Sequence, residues 1–216
     1  MLAVIACLGG LLALLIITEL LYKHKLLKGE YHRKFLHITA GSFIAFWPWL
    51  ISWRSIQILG VLMLLVILAN RYSTFFNYHG RRLGRTTYGD IFLALAILVC
   101  AFITHNRIFF ALAILEVALA DGVAAIAGLA YGKGWDYKVF GCKKTVIGTM
   151  AFWIITASIL PAGLLAAHNI FSLKDYYFLL LLLPPALTIL ENLAVFGIDN
   201  IVIPVALIII LRLVQT

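Results

Sequence analysis

The chain has little charge, and acidic residues are its scarcest charged type. Only 12% of its 216 residues are charged, and nine residues are aspartate or glutamate. An average soluble domain carries about 25% charged residues, because water must solvate its surface. With 64% hydrophobic residues as well, the chain holds more apolar side chains than a soluble domain of this length can bury. An ordinary soluble domain is therefore excluded.

Cysteine is also scarce. Cys7, Cys100 and Cys142 stand apart, without the C-x-x-C spacing of zinc and redox sites, which excludes a disulfide framework and a zinc centre. The first apolar run lacks the basic start and the A-x-A cleavage site of a secretory signal peptide. We therefore expect residues 1–22 to remain in the protein as a membrane anchor.

Long apolar runs take the place of the missing polar surface. About 20 consecutive apolar residues span a bilayer as a helix, and shorter runs do so inside a bundle or where the membrane thins. The sequence predicts an all-α, polytopic transmembrane helix bundle of about eight spans, forming a single domain over residues 1–216. The predicted spans are 2–22, 36–52, 54–70, 90–104, 107–131, 147–167, 176–196 and 200–215.

Basic residues are concentrated in three loops that alternate along the chain. Thirteen of the seventeen lysines and arginines lie in loops 23–34, 71–85 and 133–144. The positive-inside rule places these loops in the cytoplasm and both termini on the outer side. Anionic lipid headgroups account for the net charge of +8, so no nucleic-acid partner is expected.

Two acidic residues, Glu116 and Asp121, lie inside the predicted span 107–131. An ionised group at that depth costs roughly a few kcal/mol unless something compensates it, so we predict a polar site at Asp121. Small residues at four-residue spacing accompany Asp121 and permit close approach of either another helix or a flat ligand. Both interpretations stay open for this stripe, which consists of Ala120, Ala124, Gly128 and Gly132.

A second polar cluster lies at the start of the second span. Its members fall at steps of three, four and seven residues and so share one helical face. That face suits phosphate binding, with the acid orienting the cations. It equally suits a solvated collar in which the acid pairs with a neighbouring cation. The cluster comprises Glu30, Arg33, Lys34 and His37.

Two more clusters of cations lie in the predicted cytoplasmic loops. Arg81, Arg82 and Arg85 suit either polyphosphate binding or a purely topological role, since planar guanidinium groups match phosphate oxygens. Lys144 and Thr145 precede a helix start, where free backbone N–H groups favour an anion. The latter segment is not a Walker A loop, because G-x-x-x-x-G-K-[ST] is missing from it.

The last two spans carry prolines and acids. Pro184 and Pro185 are predicted to kink or break the seventh span, whose cytoplasmic half contains Glu191. Asp199 suits either a helix cap or metal binding. Carboxylates inside a bundle with cations at its mouth suit a magnesium nucleotide, because Mg2+ takes one or two carboxylates together with phosphate oxygens. We therefore predict an enzyme that acts on a lipid headgroup with a cytoplasmic nucleotide.

The order of four short motifs resembles the CTP-dependent lipid-alcohol kinases, which include dolichol kinase and phytol kinase and are more distantly related to phosphatidate cytidylyltransferase. One motif departs from that family, because its glutamate is Ile147 here, and Glu191 is the candidate substitute. The resemblance covers about residues 30–205. The motifs are E-x-x-R-K-x-x-H at 30–37, an acid followed by G-x-x-x-G-K at 121–133, K-[ST]-x-E-G-[ST] at 144–149 and D-[NR] at 199–200.

This resemblance implies phosphoryl transfer from CTP to the hydroxyl of a polyprenol or related isoprenoid alcohol, such as dolichol, phytol or farnesol. It implies Mg2+ as cofactor, held by Asp121, Asp199 and Glu191. Candidate catalytic residues are Asp121, His37 and Glu30, with His37 or a carboxylate taking the alcohol proton. The nucleotide-binding candidates are Arg33, Lys34, Arg82, Gly128, Gly132, Lys133, Lys144, Thr145 and Asn200.

Two rival functions remain at this stage. A cytidylyltransferase forms a CDP-lipid, but the longer glycine- and histidine-rich signature of those enzymes is reduced to GIDN here. An ion-coupled transporter exposes polar groups to both faces in turn, whereas the outer halves of these spans are bare. The expected partners are CTP, the alcohol and the lipid bilayer. The sequence leaves open whether the protein is a monomer or a homodimer.

Overall fold

The architecture is helical, as the apolar runs predict. A computed structural model of the protein describes residues 1–72 and 88–215. Helices form here because long stretches of leucine, isoleucine and alanine satisfy their backbone hydrogen bonds internally, as an apolar environment requires. The helices are α1 Leu2–Lys23, α2 Glu30–Ala45, α3 Trp47–Leu50, α4 Trp53–Tyr72, α5 Gly89–Ile103, α6 Arg107–Leu115, α7 Gly122–Tyr131, α8 Val146–Ala166, α9 Leu173–Leu193 and α10 Asp199–Val214, with a π-helical turn at Glu116–Asp121 between α6 and α7.

Four helical stretches within the described residues are long and apolar enough to cross a membrane: α1, the continuous stretch Arg107–Tyr131, α8 and α9. These apolar helices support a membrane protein. The predicted count of about eight spans is not supported, because the other apolar helices among the described residues, Trp53–Ala69 and Gly89–Ile103, are shorter.

Side-chain caps fix where three of the helices begin. The Asn106 side chain accepts hydrogen bonds from the backbone N–H groups of Ile108 and Phe109 at the start of α6. Ser172 and Asp175 form a reciprocal capping box at the start of α9. Thr145 accepts from the Gly148 N–H at 3.0 Å and so starts α8. Such caps satisfy N–H groups that have no partner within the helix.

The interior of the bundle is packed with large apolar side chains. Trp47, Phe109, Phe110 and Phe152 are fully buried. Helix α8 approaches α6 closely at Gly163, where an added Cβ would collide with the Leu112 side chain. Tight packing of this kind fixes the relative positions of the helices, because a core at native density has no room for them to slide.

The predicted break of the seventh span is wrong. Helix α9 continues through Pro184 and Pro185 to Leu193, and the Thr188 hydroxyl donates to the Pro184 carbonyl at 2.7 Å. Each proline removes one backbone donor, and a helix in apolar surroundings tolerates this loss where neighbouring groups satisfy the freed carbonyl four residues earlier. Because the helix is continuous, Glu191 lies in its last turn, close to the C-terminal end.

One β-hairpin departs from the all-α prediction. Strands β1 (Asp136–Val139) and β2 (Cys142–Thr145) pair antiparallel between α7 and α8. The turn residues Phe140 and Gly141 have φ angles of 46° and 79°, the positive values of a two-residue primed turn. Tyr137 and Lys144 are direct cross-strand neighbours in this hairpin.

Candidate active site

A cavity of about 540 Å³ opens at one end of the bundle. It is lined by residues near the starts of α2, α5, α8 and α10 and near the ends of α7 and α9, together with the hairpin. The chain therefore returns to this end of the bundle at each of these helix termini. Predicted site residues that line it are Glu30, Arg33, Lys34, Asp121, Gly128, Gly132, Lys133, Lys144, Thr145, Glu191, Asp199 and Asn200.

The π-helical turn Glu116–Asp121 places Asp121 in the site. A π-helical turn holds an extra residue relative to the α-helix, which changes the direction of the side chains that follow, and such turns are frequent at functional sites. The turn also presents the Val117 carbonyl to His37, whose Nε2–H donates to it at 3.2 Å. The same Nε2 lies 3.5 Å from Oδ2 of Asp121.

Three carboxylates meet in the cavity. Single oxygens of Asp121, Glu191 and Asp199 all lie within 4.8 Å of one another. They come from three separate segments: the π-helical turn, the end of α9 and the start of α10. Asp121 and Glu191 are only 6% and 7% exposed. Like charges held so close repel one another strongly in a buried environment, so the cluster requires compensating cations.

Two lysines, Lys34 buried and Lys144 partly buried, supply part of that compensation. Nζ of Lys34 lies 2.5 Å from Oδ2 of Asp121, and Nζ of Lys144 lies 2.5 Å from Oε1 of Glu191. Lys144 also donates to the backbone carbonyl of Glu191. Two ammonium groups face three carboxylates, so the fully ionised cluster keeps one excess negative charge.

The cluster fits a divalent cation. Oε2 of Glu191 is buried and has no hydrogen-bond partner among the described residues, which leaves one carboxylate oxygen free for a ligand. Hard cations such as Mg2+ prefer oxygen ligands, and Mg2+ is typically bound through one or two carboxylates plus waters and phosphates. The residues that could hold such an ion are Asp121, Glu191 and Asp199.

Asn200 lies beside this cluster at the start of α10. It is 4% exposed, and its side-chain oxygen has no partner within the described part of the chain. Its backbone N–H donates to Oδ1 of Asp199 at 2.9 Å. The interpretation of Asp199 as a helix cap is wrong, because Ile198 is the cap and Asp199 is the first helical residue. The Asp199 side chain is thus available to the cavity.

The glycines of the small-residue stripe pack against the start of α8. An added Cβ on Gly128 would lie 2.7 Å from Oγ1 of Thr145. An added Cβ on Gly132 would lie 2.6 Å from the methyl group of the same threonine. The close-packing interpretation of the stripe is therefore confirmed. Both glycines also line the cavity.

Comparison with known proteins identifies the family. No protein-family model and no solved structure matches the chain. A phytol kinase from Synechocystis sp. is 32% identical over 204 residues, which cover 89% of this chain and 82% of the relative. The chain belongs to the polyprenol and phytol kinase family. It is therefore a lipid-alcohol kinase, and the cavity with its carboxylates and lysines is its candidate active site.

Within the described part of this kinase, one predicted site residue stands apart from the cavity lining. His37 does not line the cavity, because its ring is turned toward Val117 and Asp121 behind it. Arg82, like Arg81 and Arg85, lies outside the described residues. Arg33 does line the cavity and pairs with Glu30 at 2.8 Å, as the collar interpretation expects.

Sequence reasoning missed Tyr137, which holds the hairpin of the kinase in place. The Tyr137 hydroxyl contacts Oγ1 of Thr149 and Oδ1 of Asn192. Tyr137 lies directly across from Lys144, and Asn192 directly follows Glu191, so two neighbouring contacts dock the hairpin on α9. The only sequence signal was an isolated tyrosine in a polar loop, which has no periodicity to indicate a partner.

Removing this hydroxyl is expected to loosen the hairpin. Tyr137→Phe deletes a bond network worth about 1 kcal/mol, so the hairpin should detach about five times more often. Limited digestion with trypsin, followed by mass spectrometry, measures the cleavage rate after Lys138 and Lys143. Tyr131→Phe is the matched control, because that ring is 73% exposed. Equal cleavage rates in the two variants would contradict the docking role of Tyr137.

Proposed function

We propose that this kinase transfers the γ-phosphoryl group of CTP to the hydroxyl of an isoprenoid alcohol, phytol or a related polyprenol, with Mg2+ as cofactor. The observation that carries the proposal is the cluster of Asp121, Glu191 and Asp199, in which one oxygen of each carboxylate lies within 4.8 Å of the others. The name of the Synechocystis relative supports phytol as substrate class. The four motifs that resemble CTP-dependent kinases support the nucleotide.

Each part of the cavity then has a role in phosphoryl transfer. Asp121, Glu191 and Asp199 would hold Mg2+, which neutralises charge on the phosphate oxygens and orients them. Lys34 and Lys144 already lie within the carboxylate cluster, so their ammonium groups would contact phosphate oxygens with little movement. The remaining phosphate and nucleotide contacts fall to Arg33, Lys133, Thr145, Asn200 and the backbone at Gly128 and Gly132.

The transfer itself needs little covalent help from the protein, because positioning and charge neutralisation dominate such reactions. The alcohol oxygen bonds to the γ-phosphorus while the bond from that phosphorus to the bridging oxygen breaks, and CDP leaves with the electron pair. The alcohol proton passes to a carboxylate that lines the cavity, Asp121 or Glu30. We favour a carboxylate over His37, because the imidazole lies behind Asp121 rather than in the cavity.

The orientation of the site follows from the nucleotide. CTP is a cytoplasmic, water-soluble substrate, so the cavity end of the bundle faces the cytoplasm. The basic loop 133–144 and the basic start of α2 lie at this same end, in agreement with the positive-inside rule. A multi-pass arrangement of about eight spans, with both termini on the outer side, is consistent with this orientation. The alcohol would then enter the site from the surrounding bilayer.

A substrate panel tests the proposal. Purified protein in detergent micelles is incubated with CTP, ATP, GTP or UTP and with phytol, farnesol or dolichol, and phosphorylated lipid is detected by mass spectrometry. We expect the highest kcat/KM with CTP, by about tenfold or more over the other nucleotides, and with an isoprenoid alcohol. Equal rates with all four nucleotides would contradict the CTP assignment, and phosphorylation of diacylglycerol in preference to isoprenoids would contradict the alcohol.

A further inference from the structure

The mouth of the cavity carries two exposed apolar side chains. Leu129, near the end of α7, is 51% exposed, and Phe196, in the loop between α9 and α10, is 61% exposed. Both line the same cavity as the three carboxylates. The phosphates and ribose of a nucleoside triphosphate are polar and offer such side chains little, so that only its base could pack against them. Exposed apolar surface continuous with a polar site therefore indicates a ligand that is itself part polar and part apolar.

The backbone holds Phe196 at this mouth in an unusual conformation. Its φ angle is 60°, in the left-handed region that a bulky side chain rarely adopts. The next residue, Gly197, has a φ of 90°, and an added Cβ there would lie 2.7 Å from the backbone nitrogen of Gly89. The loop is thus turned tightly against the start of α5. Such backbone strain persists only where surrounding contacts impose it, and it concentrates at ligand sites.

The polar and apolar parts of the lining come from different elements. The hairpin contributes Lys143 and Lys144, whereas the segment 194–197 after α9 contributes apolar side chains and a glycine. Leu129 and this segment lie at the ends of two stretches, Arg107–Tyr131 and Leu173–Leu193, that are long and apolar enough to cross a membrane. At such positions a hydrocarbon chain can reach the cavity without leaving the apolar surroundings of the helices.

We propose that Leu129 and Phe196 form an apolar lip at the cavity mouth that binds the hydrocarbon chain of the lipid alcohol, with the hydroxyl deeper in the cavity. The proposal rests on the proposed function and adds to it the residues that select for a long apolar chain. Phe196 is a specificity-determining residue: its ring contacts the chain, while the hydroxyl points to the carboxylate cluster. The lip contributes to binding of the alcohol and leaves the binding of CTP unaffected.

The test compares a long and a short alcohol in matched variants. Phe196→Ala is expected to raise KM for phytol about tenfold, because burial of an aromatic ring is lost. The same variant should leave KM for CTP and for dimethylallyl alcohol, which is too short to reach the lip, unchanged. Phe140→Ala is the control, because Phe140 is also exposed, at 73%, and also has a positive φ, but does not line the cavity.

Leu129→Ala provides a second variant on the other side of the mouth, with the same selective loss for phytol expected. Thermal unfolding in detergent checks that each variant is folded. The proposed role of the lip is contradicted if Phe196→Ala and Leu129→Ala both keep the wild-type ratio of KM values for the two alcohols. It is also contradicted if Phe140→Ala raises KM for phytol as much as Phe196→Ala does. Wild-type protein that phosphorylates neither alcohol overturns the proposed function and the lip with it, so the two failures are distinguishable.

Discussion

Asp121→Asn is expected to abolish lipid phosphorylation, lowering kcat/KM by about a thousandfold or more while the protein stays folded. The substitution keeps the size of the side chain and removes its negative charge. The carboxylate cluster then loses a metal ligand, and Lys34 loses the partner that lies 2.5 Å from it. The rate of phytol phosphate formation at saturating CTP and Mg2+ measures the effect.

Asp175→Asn is the matched control for this variant. Asp175 belongs to the capping box at the start of α9, at the opposite end of that helix from Glu191. The control should cost at most about 1 kcal/mol of stability and leave kcat/KM unchanged. If Asp121→Asn keeps more than about a tenth of the wild-type kcat/KM, the carboxylate cluster is not the catalytic centre.

Lys144→Met is expected to lower both activity and stability. It removes the ammonium group 2.5 Å from Oε1 of Glu191 and leaves a buried carboxylate without its cation, which typically costs about 3 to 5 kcal/mol. It also removes a phosphate contact, so we expect kcat/KM to fall about a hundredfold or more. Thermal unfolding in detergent and initial rates over a range of CTP concentrations measure the two effects.

A double variant tests the origin of the expected loss of stability, and its low activity is expected in any case because Glu191 is itself a proposed metal ligand. Lys144→Met with Glu191→Gln removes the uncompensated charge, so the thermal unfolding temperature should recover most of its loss while activity stays low. Lys138→Met is the matched control, because this exposed lysine on the same hairpin does not line the cavity. An unfolding temperature that stays as low as that of Lys144→Met would show that the loss of stability does not come from the uncompensated charge of Glu191.

Local sequence patterns were sufficient to predict much of this site. The apolar runs located the helices, and the motifs at 30–37, 121–133, 144–149 and 199–200 named most of the residues that line the cavity. The helices could be predicted because apolar length is a property of short segments, whereas the motifs were identified by their resemblance to the lipid-alcohol kinases. Acids inside apolar segments carry a free-energy penalty, which identified Asp121 and Glu191 without any knowledge of their partners.

Contacts between distant segments were beyond such reasoning. The pairing of Lys34 with Asp121 joins residues 87 positions apart, and the sequence placed Lys34 only on a shared face with Glu30. The π-helical turn leaves no mark on the sequence, because small apolar residues suit α- and π-helical turns alike. The hairpin was missed since its strands are only four residues long and polar. Its docking depends on Tyr137 reaching Asn192, a tertiary contact.

The proposed reaction is tested most directly by following the phosphorus atom. Purified wild-type protein is incubated with phytol, Mg2+ and CTP that carries the label on either the γ- or the α-phosphate, and the lipid is extracted and counted. Transfer of the γ-phosphoryl group predicts labelled lipid from γ-labelled CTP alone, with CDP as the other product. Lipid labelled from α-labelled CTP, with release of pyrophosphate, would instead show a CDP-lipid and contradict the account.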